Sequence, residues 1–210
     1  SLGPDARIVA TDLNQPMLDM AMASQGPDSR ISWQQADGLA LPFDDQCFDA
    51  VACQFGVMFF PDKVKGFSEA RRVLKPTGCY IFSVWDKLDA NEAIDVACQA
   101  LAGLFPGDPP RFMERVPHGY FDLGIIRSDL QKAGFSLSNA ETVDRTSHAA
   151  SALEAAIGFC QGNPLRGEIE ARAPGRLQEV TEAVAEALRK RFGHGAIEGR
   201  IRAHIFTALP

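Results

Sequence analysis

The sequence predicts an α/β protein: a mostly parallel sheet flanked by helices, closed by an antiparallel last strand. Three observations predict it. Short apolar runs at Ile8–Ala10, Ile31–Ala36 and Phe48–Cys53 lead into polar residues at their tips, Asp12, Asp37 and Gln54. Such runs fit strands covered on both faces, as in a parallel sheet. Segments with apolar residues at helical spacing lie between the runs, and strand–helix–strand units with right-handed crossovers build parallel sheets. Near the end, Ile201, Ala203 and Ile205 alternate with Arg202 and His204, the pattern of a half-exposed strand.

The first strand, Arg7 to Thr11, carries a carboxylate at its tip. Asp12 is placed to accept hydrogen bonds from a ribose diol, the role of the acidic residue in nucleotide-binding α/β folds. Asp near a helix start also serves as a cap, so the two roles compete. Asn14 suits a helix cap, with Pro16 in the first turn, where its missing N–H costs nothing. Met17, Leu18, Ala21 and Met22 form an apolar face that Gly26-Pro27 ends. After the second strand and Asp37 come the loop Gly38–Phe43 and a turn at Asp44-Asp45. The third strand opens into Gln54-Phe55-Gly56. Pro61-Asp62 starts a helix with Val64, Phe67, Ala70, Val73 and Leu74 at helical spacing. Lys75–Gly78 is expected as a tight turn with Gly78 at positive φ, before a strand Cys79–Trp85.

The second half changes texture. Asp89 and Glu92 are expected to cap a helix through Ile94, Ala97, Leu101 and Leu104. Phe105 to Tyr120 is rich in proline, glycine and aromatics, hence a loop. A helix from about Asp122 ends at Gly134, a plausible C′ glycine. Phe135 to Val143 reads as a strand. Ser151 and Glu154 form a capping box for a short helix that ends at Gly162-Asn163-Pro164. Leu177, Val180, Val184 and Leu188 mark the longest amphipathic helix, with acids early, bases late and Gly193 after it, as the helix dipole favours.

With 210 residues, 46% of them hydrophobic, the chain can bury a full core. It has no repeat or low-complexity linker and reads as one domain, residues 1–210: a nucleotide-binding half (1–86), then lid helices and C-terminal strands (87–210). The net charge of -6, without long blocks of either sign, argues against nucleic acid or anionic membrane as the main partner. Cys47, Cys53, Cys79, Cys98 and Cys160 lack a C-x-x-C pair, which suits buried free thiols rather than a metal site. No run approaches the ~18 apolar residues of a membrane helix. The opening Ser1–Asp5 has neither a basic region nor an apolar core of a leader, so the cytoplasm is the expected location.

Four stretches in register resemble class I S-adenosylmethionine-dependent methyltransferases of the small-molecule type. They are Ile-Val-Ala-Thr-Asp-Leu-Asn-Gln-Pro-Met-Leu (8–18), Gln-Ala-Asp-Gly-Leu-Ala-Leu-Pro-Phe (35–43), Phe-Asp-Ala-Val-Ala-Cys-Gln-Phe-Gly (48–56) and Arg-Arg-Val-Leu-Lys-Pro-Thr-Gly (71–78). Pro-His-Gly-Tyr (117–120) and Gly-Phe-Cys-Gln-Gly-Asn-Pro-Leu (158–165) look like one branch of that family. The resemblance implies a Rossmann-like fold and S-adenosylmethionine as cofactor. It implies that Asp12 takes the ribose hydroxyls and Leu13 packs on the adenine. Asp37 would accept from the adenine amine, with a backbone N–H of Gly38 or Leu39 on a ring nitrogen. Gln54 and Phe55 would line the methionine end. The partner implied is a small-molecule acceptor, methylated by in-line displacement.

A sulfonium methyl is already activated, so positioning of the acceptor can supply much of the acceleration. A base matters only where the acceptor loses a proton, and no catalytic residue is assigned. His118 and Tyr120, in the aromatic loop, are the candidates for a substrate-side base or hydrogen bonder, against the reading of a packed loop histidine. Phe159, with Phe59, Phe60 and Trp85, is a candidate pocket wall, although aromatics are also core residues. Gln161 and Asn163 suit a helix end. His148, His194 and His204 are expected at the surface.

The sequence departs from the family in one respect: it shows no counterpart of the first strand and its glycine-rich loop. In the family's sheet that strand lies between those at Arg7 and Phe48. Two inner edges would then lose their ladder partners, at ~1–3 kcal/mol for each buried unpaired group. About a dozen such groups would exceed the ~5–15 kcal/mol stability of a domain. The chain is therefore expected to lack an N-terminal segment of the natural protein. The other expectations are a rearranged sheet or a strand from another subunit, and a homodimer is an allowed assembly. The alternative functions are a non-catalytic descendant that binds nucleoside or a partner chain and, more distantly, a nicotinamide oxidoreductase.

Overall fold

The structure, a computed structural model, describes residues 3–210. The first half contains β1 (Ile8–Asp12), α1 (Gln15–Gln25), β2 (Ile31–Gln35), β3 (Phe48–Gln54), α2 (Lys63–Val73) and β4 (Leu74–Trp85). The second contains α3 (Glu92–Leu104), α4 (Phe112–Arg115), α5 (Leu123–Lys132), β5 (Ser136–Ala149), α6 (Ala152–Gln161), α7 (Leu165–Arg172), α8 (Leu177–Phe192) and β6 (Ile197–Leu209). Single 3₁₀ turns lie at Val57–Phe59 and Leu88–Ala90.

These strands form two sheets. β1 and β2 pair in parallel, and β3, β4, β6 and β5 form a second sheet in that order. β3 is parallel to β4, while β6 runs against both neighbours, so β3, β4 and β5 share one direction. The expected α/β architecture and antiparallel last strand are therefore present. Among the described residues no ladder joins β1 to β3, so Arg7–Thr11 does not pair with Ala50–Cys53 and each strand keeps an unpaired edge.

One core lies between the larger sheet and the helices α2 and α5. Phe67 from α2 meets Tyr80 and Phe82 of β4 at 6.0 and 5.2 Å between ring centres, and Phe82 stacks on Phe206 of β6 at 4.8 Å. All four are buried, and a fully buried ring of this size contributes ~1.5–3 kcal/mol. The sheet's other face is barer: Ile81 and Ile205 are 41% and 36% exposed. This corrects the expectation of strands covered on both faces. Ile8, Val9 and Ala10 are only half-buried, and no residue of β3 is fully buried. A second core gathers Leu101 of α3, Ala156 and Cys160 of α6, Leu165 and Ile169 of α7 and Leu188 of α8.

The same asymmetry inverts the reading of β6. Its alternation is real, but His204 and Phe206 are buried and Ile205 is exposed. His204 is not a surface residue, because the helices cover the face it shares with Phe206. His148 does lie at the surface, 3.2 Å from Glu198.

Other local expectations need adjustment. Lys75–Gly78 is not a tight turn. It forms a bulged start of β4, where the register jumps between Phe48↔Leu74 and Ala50↔Cys79. Gly78 does not have positive φ. It is needed because a Cβ there would sit 2.9 Å from the Asp49 carbonyl oxygen. Asn91, rather than Asp89, stands at the start of α3. Asp62 and Asp122 stand at the helix starts expected there and cap them, accepting from Lys65 N (2.9 Å) and from Gly124 N and Ile125 N (2.8 and 2.9 Å), and Ser151 caps as expected, accepting from Glu154 N (3.2 Å). Gly134 takes φ 84° after α5. The short helices α4 and α7 were not foreseen.

Only Cys160 of the five free cysteines is fully buried, and Cys47 is exposed. No helix among the described residues is long and apolar enough to cross a membrane, and no group of three or more ligating side chains among them is placed to hold a metal.

Candidate functional site

The parallel pairing of β1 with β2 sets Asp12 opposite Gln35, and Ala36 N donates to Asp12 O at 3.0 Å. Asp12 and Asp37 therefore end neighbouring strands at the same edge. Both carboxylates have the same local geometry. Oδ1 of Asp12 accepts from Asn14 N at 2.8 Å, and Oδ1 of Asp37 accepts from Leu39 N at 2.8 Å. Each fixes the turn that follows its strand, a common use of Asp. Neither Oδ2 has a partner among the described residues. The Asn14 side chain makes no cap, so Asp12 holds the backbone turn rather than the first helical N–H groups. Leu13, between strand and helix, is 60% exposed, and its carbonyl is held by Gln35 Nε2 at 2.7 Å.

The loop after Asp37 is stapled to α2. Glu69 Oε2 accepts from Leu41 N at 2.9 Å, and Arg72 donates to the carbonyls of Leu41 and Phe43 at 2.8 and 2.7 Å. The Arg72 guanidinium beside Glu69 holds that carboxyl below the usual carboxylate range. The ring of Phe60 lies over both Gly38 and Gly66. A Cβ on Gly38 would meet Phe60 Cζ at 2.7 Å, so glycine permits the close approach. Leu39 N is already spent on Asp37, which leaves the Gly38 N–H as the one without a partner among the described residues.

At the tip of β3, Gln54 is exposed and Phe55 takes φ 52°, a left-handed conformation unusual for a bulky residue. Its N–H donates to Ser83 O and is also 3.2 Å from Ser83 Oγ. Its ring stacks on Trp85 at 4.1 Å and 11°. Trp85 in turn lies 6.2 Å from the buried His118 ring. Phe55, Trp85 and His118 thus form one continuous row, and Gln54 precedes it at the end of β3.

The other two candidates lie elsewhere. The Tyr120 hydroxyl donates to Asp129 Oδ2 at 3.0 Å, under the Lys63 ammonium at 5.2 Å, in contacts that tie α2 to α5. Phe159 packs at the border of the helical lobe's core. Gln161 and Asn163 do end a helix: Gln161 bonds Thr181, and Asn163 Oδ1 accepts from Leu165 N.

The sequence reading missed Asp86, Asn91 and His204. Asp86 is buried just beyond β4, with Oδ1 3.2 Å from His204 Nε2. The rule that singled out Asp12 and Asp37, a carboxylate at a strand tip, applies equally to Asp86 and could have found it.

Residues 1–82 match the family model described as a methyltransferase domain. A demethylmenaquinone methyltransferase of Lactobacillus johnsonii is 39% identical over 146 residues, 64% of this chain and 59% of the relative. A ubiquinone/menaquinone biosynthesis C-methyltransferase of a Marinomonas species is 35% identical over 154 residues, 68% of this chain and 61% of the relative. The chain thus spans about three fifths of these relatives' lengths. A Bacillus halodurans protein assigned as a methyltransferase superposes with TM-score 0.60 at 20% identity, covering 97% of this chain and 82% of that one. The [4+2]-cyclase SpnF follows with 0.56 at 18%, covering 97% and 66%. Residues 1–82 are thus similar in sequence to a methyltransferase domain, and the fold is that of the solved structures it superposes on.

Proposed function

We propose that the protein is an S-adenosylmethionine-dependent methyltransferase acting on a small-molecule acceptor. The observation that carries this is the matched pair of strand-end carboxylates, Asp12 and Asp37. Each is fixed through one oxygen and open through the other. The chemistry of the set fits a nucleoside. A ribose diol and an adenine amine are hydrogen donors and need acceptors, the exposed Leu13 offers an apolar face to a base, and the Gly38 N–H suits a ring nitrogen. Gln54 and Phe55 would line the methionine end, with residues 1–86 as the cofactor half and His118, Tyr120 and Phe159 on the acceptor side.

The cofactor supplies a sulfonium methyl. The protein's part is to hold the acceptor in line with it and keep water out, a positioning effect that can offset several kcal/mol of barrier. Quinone-biosynthesis relatives act on small molecules by name, which supports that acceptor class. The fold alone does not carry the activity, as the cyclase among its structural neighbours illustrates.

Calorimetric titration of the protein expressed from its intact gene, with S-adenosylhomocysteine and with NAD, tests the reading. Binding of the homocysteine nucleoside at one site per chain, without NAD binding, is expected. Binding of NAD alone, or of neither, overturns it.

A further inference from the structure

We propose that His118 is the general base for the methyl acceptor, and that the recess it lines takes an acceptor without carboxylate or phosphate through a hydroxyl group. The inference rests on the methyltransferase reading. His118 is only 5% exposed, and its Nδ1 lies 2.8 Å from the Asp86 carbonyl oxygen. A carbonyl oxygen only accepts, so Nδ1 carries the hydrogen and the neutral ring presents its lone pair at Nε2. Among the described residues Nε2 has no partner, yet no fully buried side-chain nitrogen or oxygen is left unpartnered. It therefore faces accessible space. His118 lines an open recess of about 410 Å³ with Lys87, Asp89, Asp95, Glu114 and Phe121.

Asp86 is the positioning residue. Its carbonyl also accepts from Asn91 Nδ2 at 3.3 Å, and its N–H donates to Arg202 O at 3.1 Å. Its carboxylate accepts from Lys87 N at 2.7 Å and meets His204 Nε2 at 3.2 Å, and His204 Nδ1 is 2.9 Å from Thr142 Oγ1. Strands β5 and β6 and the start of α3 thus fix the atom that fixes the imidazole. Burial lowers the proton affinity of His118 below that of an ordinary histidine, which keeps the lone pair free at neutral pH.

The surrounding charge selects the acceptor. Asp89, Asp95 and Glu114 outnumber Lys87, so the recess favours the imidazolium as it forms and repels an acceptor bearing carboxylate or phosphate. Each carboxylate already has a partner: Lys87 for Asp89 (3.0 Å), Gln99 for Asp95 (2.8 Å) and Arg111 for Glu114 (3.9 Å). Lys87 and Arg111 offset Asp89 and Glu114, whereas Asp95 has only the neutral Gln99 beside it, so the excess charge of the recess is negative and turns away an anionic acceptor. In the step, Nε2 takes the hydroxyl proton as the electron pair freed on the acceptor forms the bond to the methyl carbon. The carbon–sulfur pair leaves with the sulfur, so charge and atoms balance.

Imidazole ¹⁵N spectra of the intact-gene protein test this, with His118 assigned by His118→Asn. The sample is titrated with 2-naphthol and 2-naphthoate, two probes of one ring system and different charge. At pH 7.5 His118 should show a protonated Nδ1 and a bare Nε2, and 2-naphthol but not 2-naphthoate should shift Nε2. A protonated Nε2, a shift by 2-naphthoate as large as that by 2-naphthol, or no shift by either probe overturns the proposal. S-adenosylhomocysteine titrated into the same sample separates the two readings. Its binding with a silent His118 sinks the base alone, and its absence with the predicted His118 response sinks the methyltransferase reading and the base with it, while the hydroxyl-binding recess stands.

Discussion

At the scale of the residue, small groups decide where large ones sit. Gly66 lies inside α2, where replacement by alanine ordinarily gains up to ~1 kcal/mol of helix propensity. Here the added methyl would run into the Phe60 ring, and overpacking costs ~1–3 kcal/mol. Gly66→Ala should therefore destabilise, as a lower denaturation midpoint at unchanged slope; a raised midpoint would show that Phe60 moves aside freely. His118 gives a pH dependence with a defined sign. Its folded pKa is depressed by burial, so the unfolded chain binds the extra proton. Stability should fall as pH drops from about 6.5, the ordinary histidine value, towards the lower folded value, and be fully present above it. Thermal melts between pH 7.5 and 5.5 should show this loss, and His118→Asn should flatten it. For Asp12, the lost charge-assisted hydrogen bonds are worth ~1.5–3 kcal/mol. Asp12→Ala should weaken S-adenosylhomocysteine binding roughly 10- to 100-fold, read by calorimetry.

Elements differ in how much of them the sequence revealed. Strands β1 to β3 and helices α2, α5, α6 and α8 were legible because capping residues and apolar periodicity agree there, as at Asp62, Asp122 and Ser151. The bulge at Lys75–Gly78 was not, since a Pro-Thr-Gly run reads as a turn whether or not the chain stays extended. Helix α7 is short and its apolar residues Leu165 and Ile169 give too little periodicity to stand out. β6 showed a true alternation, but alternation carries no sign: only the helices packed on one face determine that His204 goes in and Ile205 out. The unpaired edges of β1 and β3 have a measurable consequence. Protection from hydrogen exchange tracks local packing, so amides of β1 and β2 should exchange well before those of Phe82 and Phe206, which sit in the ring-lined core. Equal protection in the two sheets would mean that the smaller sheet is held by more than one ladder and the Phe60 and Arg72 contacts.

For the whole molecule, the carboxyl edge of the sheets assembles chemistry from distant parts of the chain. Asp12, Asp37 and Gln54 were readable because each is local, a polar residue at the end of an apolar run. The support behind His118 was not, because Asp86, Thr142 and His204 meet only through the long-range pairing of β4, β5 and β6. The two cores also divide the labour. The ring-lined core holds the sheet that carries Gln54 and Phe55, and the helical one carries Phe159 and part of the wall near His118. The central claim is that Asp12 and Asp37 hold the nucleoside of S-adenosylmethionine. A crystal structure of the intact-gene protein with S-adenosylhomocysteine tests it most directly. The account predicts both ribose hydroxyls on the Asp12 carboxylate and the adenine amine on Asp37, with the base against Leu13. A nucleoside bound away from these two strand ends would contradict it.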